Sequence, residues 1–122
     1  GANIKLDRKK ALDDFKSGKV QILLASDIAA RGLDISGITH VFSLNAPEDP
    51  KAYVHRVGRT GRARNKGMAV SIVSPKELST IKIYRNALKI NISEKALYEG
   101  KIVEPGKRKH FKNMTKKWFT VS

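Results

Sequence analysis

Three arginines and a histidine fall within the eight residues His55–Arg62, with no acid among them. The run reads His55-Arg56-Val57-Gly58-Arg59-Thr60-Gly61-Arg62-Ala63. Guanidinium forks held in fixed positions suit a polyphosphate, because each pairs two donors with two oxygens. If the run is helical, residues three and four apart share a face. His55, Arg59 and Arg62 then form one stripe, with Val54 and Val57 pointing elsewhere. Gly58 and Gly61 let a partner's backbone or phosphate come close. A solvated basic helix face would carry the same charge, but it seldom alternates Arg with Gly so regularly. The spacing therefore predicts a phosphate-reading site.

A second stretch, Ser26-Asp27-Ile28-Ala29-Ala30-Arg31-Gly32-Leu33-Asp34-Ile35, follows the apolar run Val20–Ala25. That run suits a strand buried on both faces. Ligands of open parallel sheets bind at the carboxyl ends of strands, which is where this stretch begins. Gly32 permits a tight turn there. Read from residue type alone, Asp34 is a cap or turn residue.

The elements that must carry these groups are legible on either side. Residues 4 to 17 predict an amphipathic helix with Ala11, Leu12 and Phe15 on its apolar edge and Gly18 as its C-cap. Arg8, Lys9 and Lys10 face water or a ligand. Ile38 to Leu44 predicts a second strand, with His40 as a structural residue. Asp49 and Pro50 then cap and start a helix that turns Tyr53 and Val54 inward and leads into the arginine run. Asn65-Lys66-Gly67 is a loop, and Met68 to Val73 a third strand. Ser74-Pro75-Lys76-Glu77 opens a further helix, with a cap, a proline and a reaching glutamate. Leu78, Ile81 and Leu88 share its buried face. Strands alternating with helices argue for an α/β layer fold with a parallel sheet. Ile92 to Val103 predicts a short helix and a return segment, and Pro105-Gly106 breaks the chain.

From Lys107 onward, Lys107, Arg108, Lys109, Lys112, Lys116 and Lys117 are interleaved with His110, Phe111, Trp118 and Phe119. Two readings stand side by side. The segment holds single-stranded RNA by phosphate attraction and base stacking, or its aromatics fold back onto the domain.

The 122 residues suffice for one domain. A formal net charge of +14 points to nucleic acid or another polyanion as partner. The absence of cysteine rules out disulfides and thiolate metal sites and fits a reducing compartment. No apolar run approaches the ~20 residues of a membrane span. The N-terminus carries no recognisable leader, and its first residue is Gly rather than Met, so a fragment or a processed chain is expected, as is a cytoplasmic location.

Together the two stretches resemble the late motifs of the DEAD-box RNA helicases. Ala29-Ala30-Arg31-Gly32-Leu33-Asp34 is similar to motif V, and His55-Arg56-x-Gly58-Arg59-x-x-Arg62 to motif VI. An opening histidine favours this branch over the DEAH branch. Lys5-Leu6-Asp7-Arg8 resembles motif IVa, with lysine in place of the usual glutamine.

The resemblance covers about residues 1 to 90. It implies the second RecA-like domain, partial and entered after its opening strand. The implied fold is a three-layer α/β/α arrangement with a parallel sheet over residues 1–91, followed by a basic extension, 92–122. It further implies that Arg59 and Arg62 act catalytically on ATP and that Asp34 binds its ribose. Arg8, Ser26 and Gly32 would meet RNA, and Arg31 and His55 would couple the two lobes. No Gly-x-x-x-x-Gly-Lys-Ser/Thr loop, Asp-Glu-Ala-Asp run or Ser-Ala-Thr motif occurs. The nucleotide and the Mg²⁺ ligands would therefore belong to an N-terminal RecA-like domain, and this chain alone would be inactive. The missing opening strand would leave a sheet edge open to self-association. Two alternatives remain: a non-enzymatic RNA-binding module relying on the basic tail, and a DNA helicase, against which the wording of motifs V and VI speaks.

Overall fold

The computed structural model describes residues 2–61, 66–105 and 117–121, with side chains described at 5–61 and 66–105. Two compact units make up the chain, residues 1–36 and 37–122.

The first unit holds two helices. Helix α1 (Ala2–Lys16) carries half-buried Leu12 and Phe15. Its end is closed by the Gly18 amide, which donates to the Phe15 carbonyl at 3.1 Å. Lys19 pairs with Asp14 at 3.5 Å; an exposed pair of this kind contributes no more than about 1 kcal/mol. Helix α2 (Asp27–Ala30) is a single turn.

Between them the expected strand Val20–Ala25 does not form. The segment forms no strand, with a bend at Gln21, and Ile22 and Leu24 are each 87% exposed. A strand exists by hydrogen bonding to a neighbour, and among the described residues of this unit no other strand is present to supply one.

The second unit is built on a five-stranded sheet. In chain order its elements are β1 (His40–Ser43), α3 (Pro50–Val57), β2 (Met68–Val73), a 3₁₀ turn (Pro75–Glu77), α4 (Leu78–Leu88), β3 (Ser93–Tyr98), β4 (Lys101–Val103) and β5 (Lys117–Val121). The sheet order is β1-β2-β5-β3-β4. Strands β1 and β2 are parallel, with His40 opposite Met68 and Ser43 opposite Ser71. Their connection carries α3, as a parallel crossover requires. The α/β class and the parallel pairing are as the sequence predicts. From β2 outward the pairing is antiparallel.

Residues 93–103 form the β3–β4 hairpin, where a short helix and a return segment were expected. Glu99 and Gly100 make its two-residue turn with φ of +48° and +74°, the backbone signature of a type I′ turn. The backbone of β5 lies between β2 and β3, with Trp118 opposite Ile72 and Lys95.

The core of this unit gathers Tyr53, Val73, Ile81, Tyr84 and Ile92. Leu78 and Leu88 pack against it from α4, as predicted. Burying each such side chain contributes about 1.5–3 kcal/mol. Tyr53 is 1% exposed, but Val54 is 42% exposed and does not turn inward as expected. One residue along a helix is a rotation of about 100°, so the two cannot share one buried face. His40 is exposed on β1, its ring stacked with that of Phe42.

Candidate functional site

Helix α3 starts as the sequence dictates. Asp49 Oδ1 accepts from the Lys51 amide at 2.9 Å, and Pro50 occupies the first turn. The helix ends at Val57, with Gly58 as its C-cap donating to the Val54 carbonyl at 2.8 Å. The predicted helical stripe through Arg59 and Arg62 is therefore cut short. Gly61 adopts φ +69°, a conformation that no continuing right-handed helix contains. Two glycines in four residues stop the helix and turn the chain instead.

Arg59 thus stands just past the helix end, half-buried. Its Nε donates to the His55 carbonyl oxygen at 3.1 Å. A cation suits that place, because the last carbonyls of a helix carry partial negative charge. Exposed His55 occupies the final turn of α3. Thr60 Oγ1 donates to the Ile38 carbonyl at 2.5 Å and ties the turn to the start of β1. Arg62 lies outside the described residues.

Arg56 points the other way. Its Nη1 donates to Asn45 O at 2.9 Å and to Asn45 Oδ1 at 2.8 Å, and it also bonds Ser43 Oγ. The sequence reading gave this arginine no role separate from its neighbours. A serine and an asparagine just past the strand end were the available signal. Glu77 was foreseen as a capping residue and does more. Its Oε2 accepts from the Ser74 amide at 2.7 Å, while Oε1 accepts from the Ala46 amide at 2.8 Å. The Ala46 bond, with help from Ser74 and against the cost of burial, holds the Glu77 carboxyl below the usual carboxylate range. Burial pushes the Tyr84 hydroxyl up to about 12, opposed by the nearby Arg56 guanidinium.

In the first unit the structure brings three predicted residues together. Ser26 caps α2, its Oγ accepting from the Ala29 amide at 3.3 Å. Arg8 Nη2 reaches from α1 to the Ala29 carbonyl at 2.8 Å. Gly32, at φ +73°, turns the chain out of α2. The side chains of Arg31 and Asp34 are exposed on this same turn. Arg8, Ser26 and Gly32 thus surround one short helix.

Chemically, a half-buried guanidinium at a helix end fits a phosphate anion, and an exposed carboxylate can accept from hydroxyls. Among the described residues no group of three or more His, Cys, Asp or Glu could hold a metal ion.

Comparison with known proteins agrees with the motif reading. The helicase conserved C-terminal domain family matches residues 4–64. The ATP-dependent RNA helicase CshA of Listeria monocytogenes is 51% identical over 82 residues, covering 67% of this chain and 16% of the relative. The DEAD-box ATP-dependent RNA helicase CshA of Bacillus subtilis is 50% identical over 82 residues, covering 67% and 17%. The chain thus spans about a sixth of the length of these curated relatives. Among solved structures, the E. coli DEAD-box protein SrmB, bound to regulator of ribonuclease activity A, aligns with a TM-score of 0.64 at 36% identity. That alignment covers 69% of this chain and 49% of SrmB. A DEAD box protein from Methanococcus jannaschii aligns with a TM-score of 0.63 at 37% identity, covering 71% and 24%.

Proposed function

Since the chain belongs to the helicase conserved C-terminal domain family, in its DEAD-box branch, we propose that it is the second lobe of an ATP-dependent RNA helicase. The observation that carries this reading is the placement of Arg59 at the end of α3, held by the His55 carbonyl. A guanidinium so fixed costs little reorganisation when it meets developing charge.

In the proposed division of labour, an N-terminal RecA-like lobe holds ATP and the Mg²⁺ ligands. Closure of the two lobes brings Arg59 and Arg62 to the γ-phosphate, where an arginine finger is worth about 10³ to 10⁵ in rate. The Asp34 carboxylate accepts from the ribose hydroxyls. Arg8, Ser26 and the turn at Gly32 take up the RNA backbone through α2. Backbone contacts carry little sequence information, so binding is tolerant of sequence. In this division Arg31 and His55 couple nucleotide to RNA. Hydrolysis and release then reopen the cleft, and the duplex is separated locally. The whole protein works in the cytoplasm.

This chain by itself should show no RNA-stimulated ATP hydrolysis, and should gain it when joined to its N-terminal lobe. Turnover by the 122 residues alone would contradict the division. A second reading, an RNA-binding module without enzymatic action, is favoured by the net charge of +14 and places the affinity in the basic C-terminal segment. Self-association is proposed through β1, which ends the sheet order and carries Phe42 at 57% exposure.

A further inference from the structure

The finger reading uses Arg59 and Arg62 and leaves Arg56 without a task. Its geometry supplies one. The loop 43–47 leaves the carboxyl end of a parallel strand, the usual ligand end of such sheets. Side chains from three directions clamp this loop. From α3, Arg56 bonds Ser43 Oγ and both oxygens of Asn45. From the 3₁₀ turn, Glu77 accepts from the Ala46 amide. From α4, the Tyr84 hydroxyl donates to the Pro47 carbonyl. Ser43 Oγ also donates to Asn45 O at 2.9 Å, and Ser43 is 2% exposed, so the Arg56 end of the clamp lies against the interior.

Arg56 lies in the last turn of α3, and Arg59 follows directly after the C-cap Gly58. The same last turn of α3 that Arg56 fixes to the loop supplies the His55 carbonyl that holds Arg59. Movement of that turn moves Arg59. All three contacts are made by Nη1, whose two N–H donors are shared among them.

We propose that Arg56 is a positioning residue: it fastens the last turn of α3 to the loop 43–47 and thereby aims Arg59, without touching the nucleotide. The proposal rests on Arg59 acting as a finger, and the test separates the two ideas.

In the chain joined to its N-terminal lobe, RNA-stimulated ATP hydrolysis is measured for Arg56→Ala, Arg59→Ala and the double variant. Arg56→Ala should lower kcat by about 10- to 100-fold through misplacement, with KM for ATP within about twofold. The double variant should be no slower than Arg59→Ala, since a residue acting only through Arg59 has nothing left to aim. Multiplying effects would mean that Arg56 meets the nucleotide itself, and would overturn the proposal. Wild-type kcat in Arg56→Ala beside a slow Arg59→Ala would overturn it and leave the finger standing. A normal Arg59→Ala would remove the finger reading and the proposal together. If Arg56→Ala fails to fold, Asn45→Ala, which removes one acceptor of the clamp, carries the same test. It should show a smaller fall in kcat that likewise vanishes in the Arg59→Ala background, and an unchanged kcat would count against the proposal.

Discussion

Tyr53 of α3 and Tyr84 of α4 stack with ring centroids 4.2 Å apart and planes 21° from parallel. The pair fixes α3, the helix that carries His55, to α4. Such a stack is worth about 0.5–1.5 kcal/mol beyond the area it buries. Tyr84 also donates its hydroxyl to the Pro47 carbonyl.

Alkaline solution should therefore loosen this unit. The Tyr84 hydroxyl is raised from 10.0 to about 12 in the folded chain, mainly by burial. Above pH ~10 the unfolded state gives up this proton while the folded state keeps it, so stability falls as pH rises. Below the unfolded pKa the contribution is complete. Thermal melts from pH 9 to pH 12 should show a declining midpoint. Tyr84→Phe should be less stable at neutral pH by about 1–3 kcal/mol, because the Pro47 carbonyl loses its donor, and its decline above pH 10 should be shallower.

Glu77 acts at the other end of the scale. Its folded carboxyl lies below 4.5, chiefly because of the Ala46 amide. A lowered carboxyl stabilises above its unfolded pKa, and that contribution is lost as pH falls through the folded value. Glu77→Gln should cost about 1–3 kcal/mol at pH 7. Its denaturant midpoint should differ from wild type less and less as pH drops below 4.

Phe42 and Leu44 are 57% and 70% exposed, on and just after the end strand of the sheet. An open apolar edge is a pairing template, and lysine on such an edge blunts it. Light scattering should show mass rising with concentration for the native chain. Phe42→Lys should shift it toward monomer, while equal behaviour of the two would remove β1 as the contact.

The basic segment calls for a substitution rather than a truncation, because the backbone of Lys117–Val121 is a strand between β2 and β3. Replacing Lys107, Arg108, Lys109, Lys112 and Lys116 by glutamine keeps that strand. If each neutralises one phosphate, the slope of log affinity against log salt for single-stranded RNA should flatten by about 3.5, at 0.7 per contact. An unchanged slope would place the RNA affinity elsewhere.

Asp49-Pro50 and Ser74-Pro75-Lys76-Glu77 foretold their helix starts, because capping is local chemistry. Strand β2 was legible as an apolar run between turn signals. Val20–Ala25 was equally apolar and formed no strand, since pairing depends on a neighbour that local sequence does not reveal. The β3–β4 hairpin was missed because its turn is Glu99-Gly100, where Asn or Asp ordinarily precedes the glycine. Lys89 hides the end of α4 in the same way, taking φ +53° at a position that usually selects glycine. In the candidate site, the residue types of motifs V and VI were readable. The bonds of Arg56 were not, because they depend on Asn45, eleven residues away.

The most direct test of the account is RNA-stimulated ATP hydrolysis by the joined two-lobe protein carrying Arg59→Ala, with RNA affinity measured in parallel. Loss of a finger predicts a fall of about 10³-fold or more in kcat, with RNA affinity within about threefold of wild type. Hydrolysis at the wild-type rate, or a loss of RNA binding that accounts for the whole effect, would contradict it.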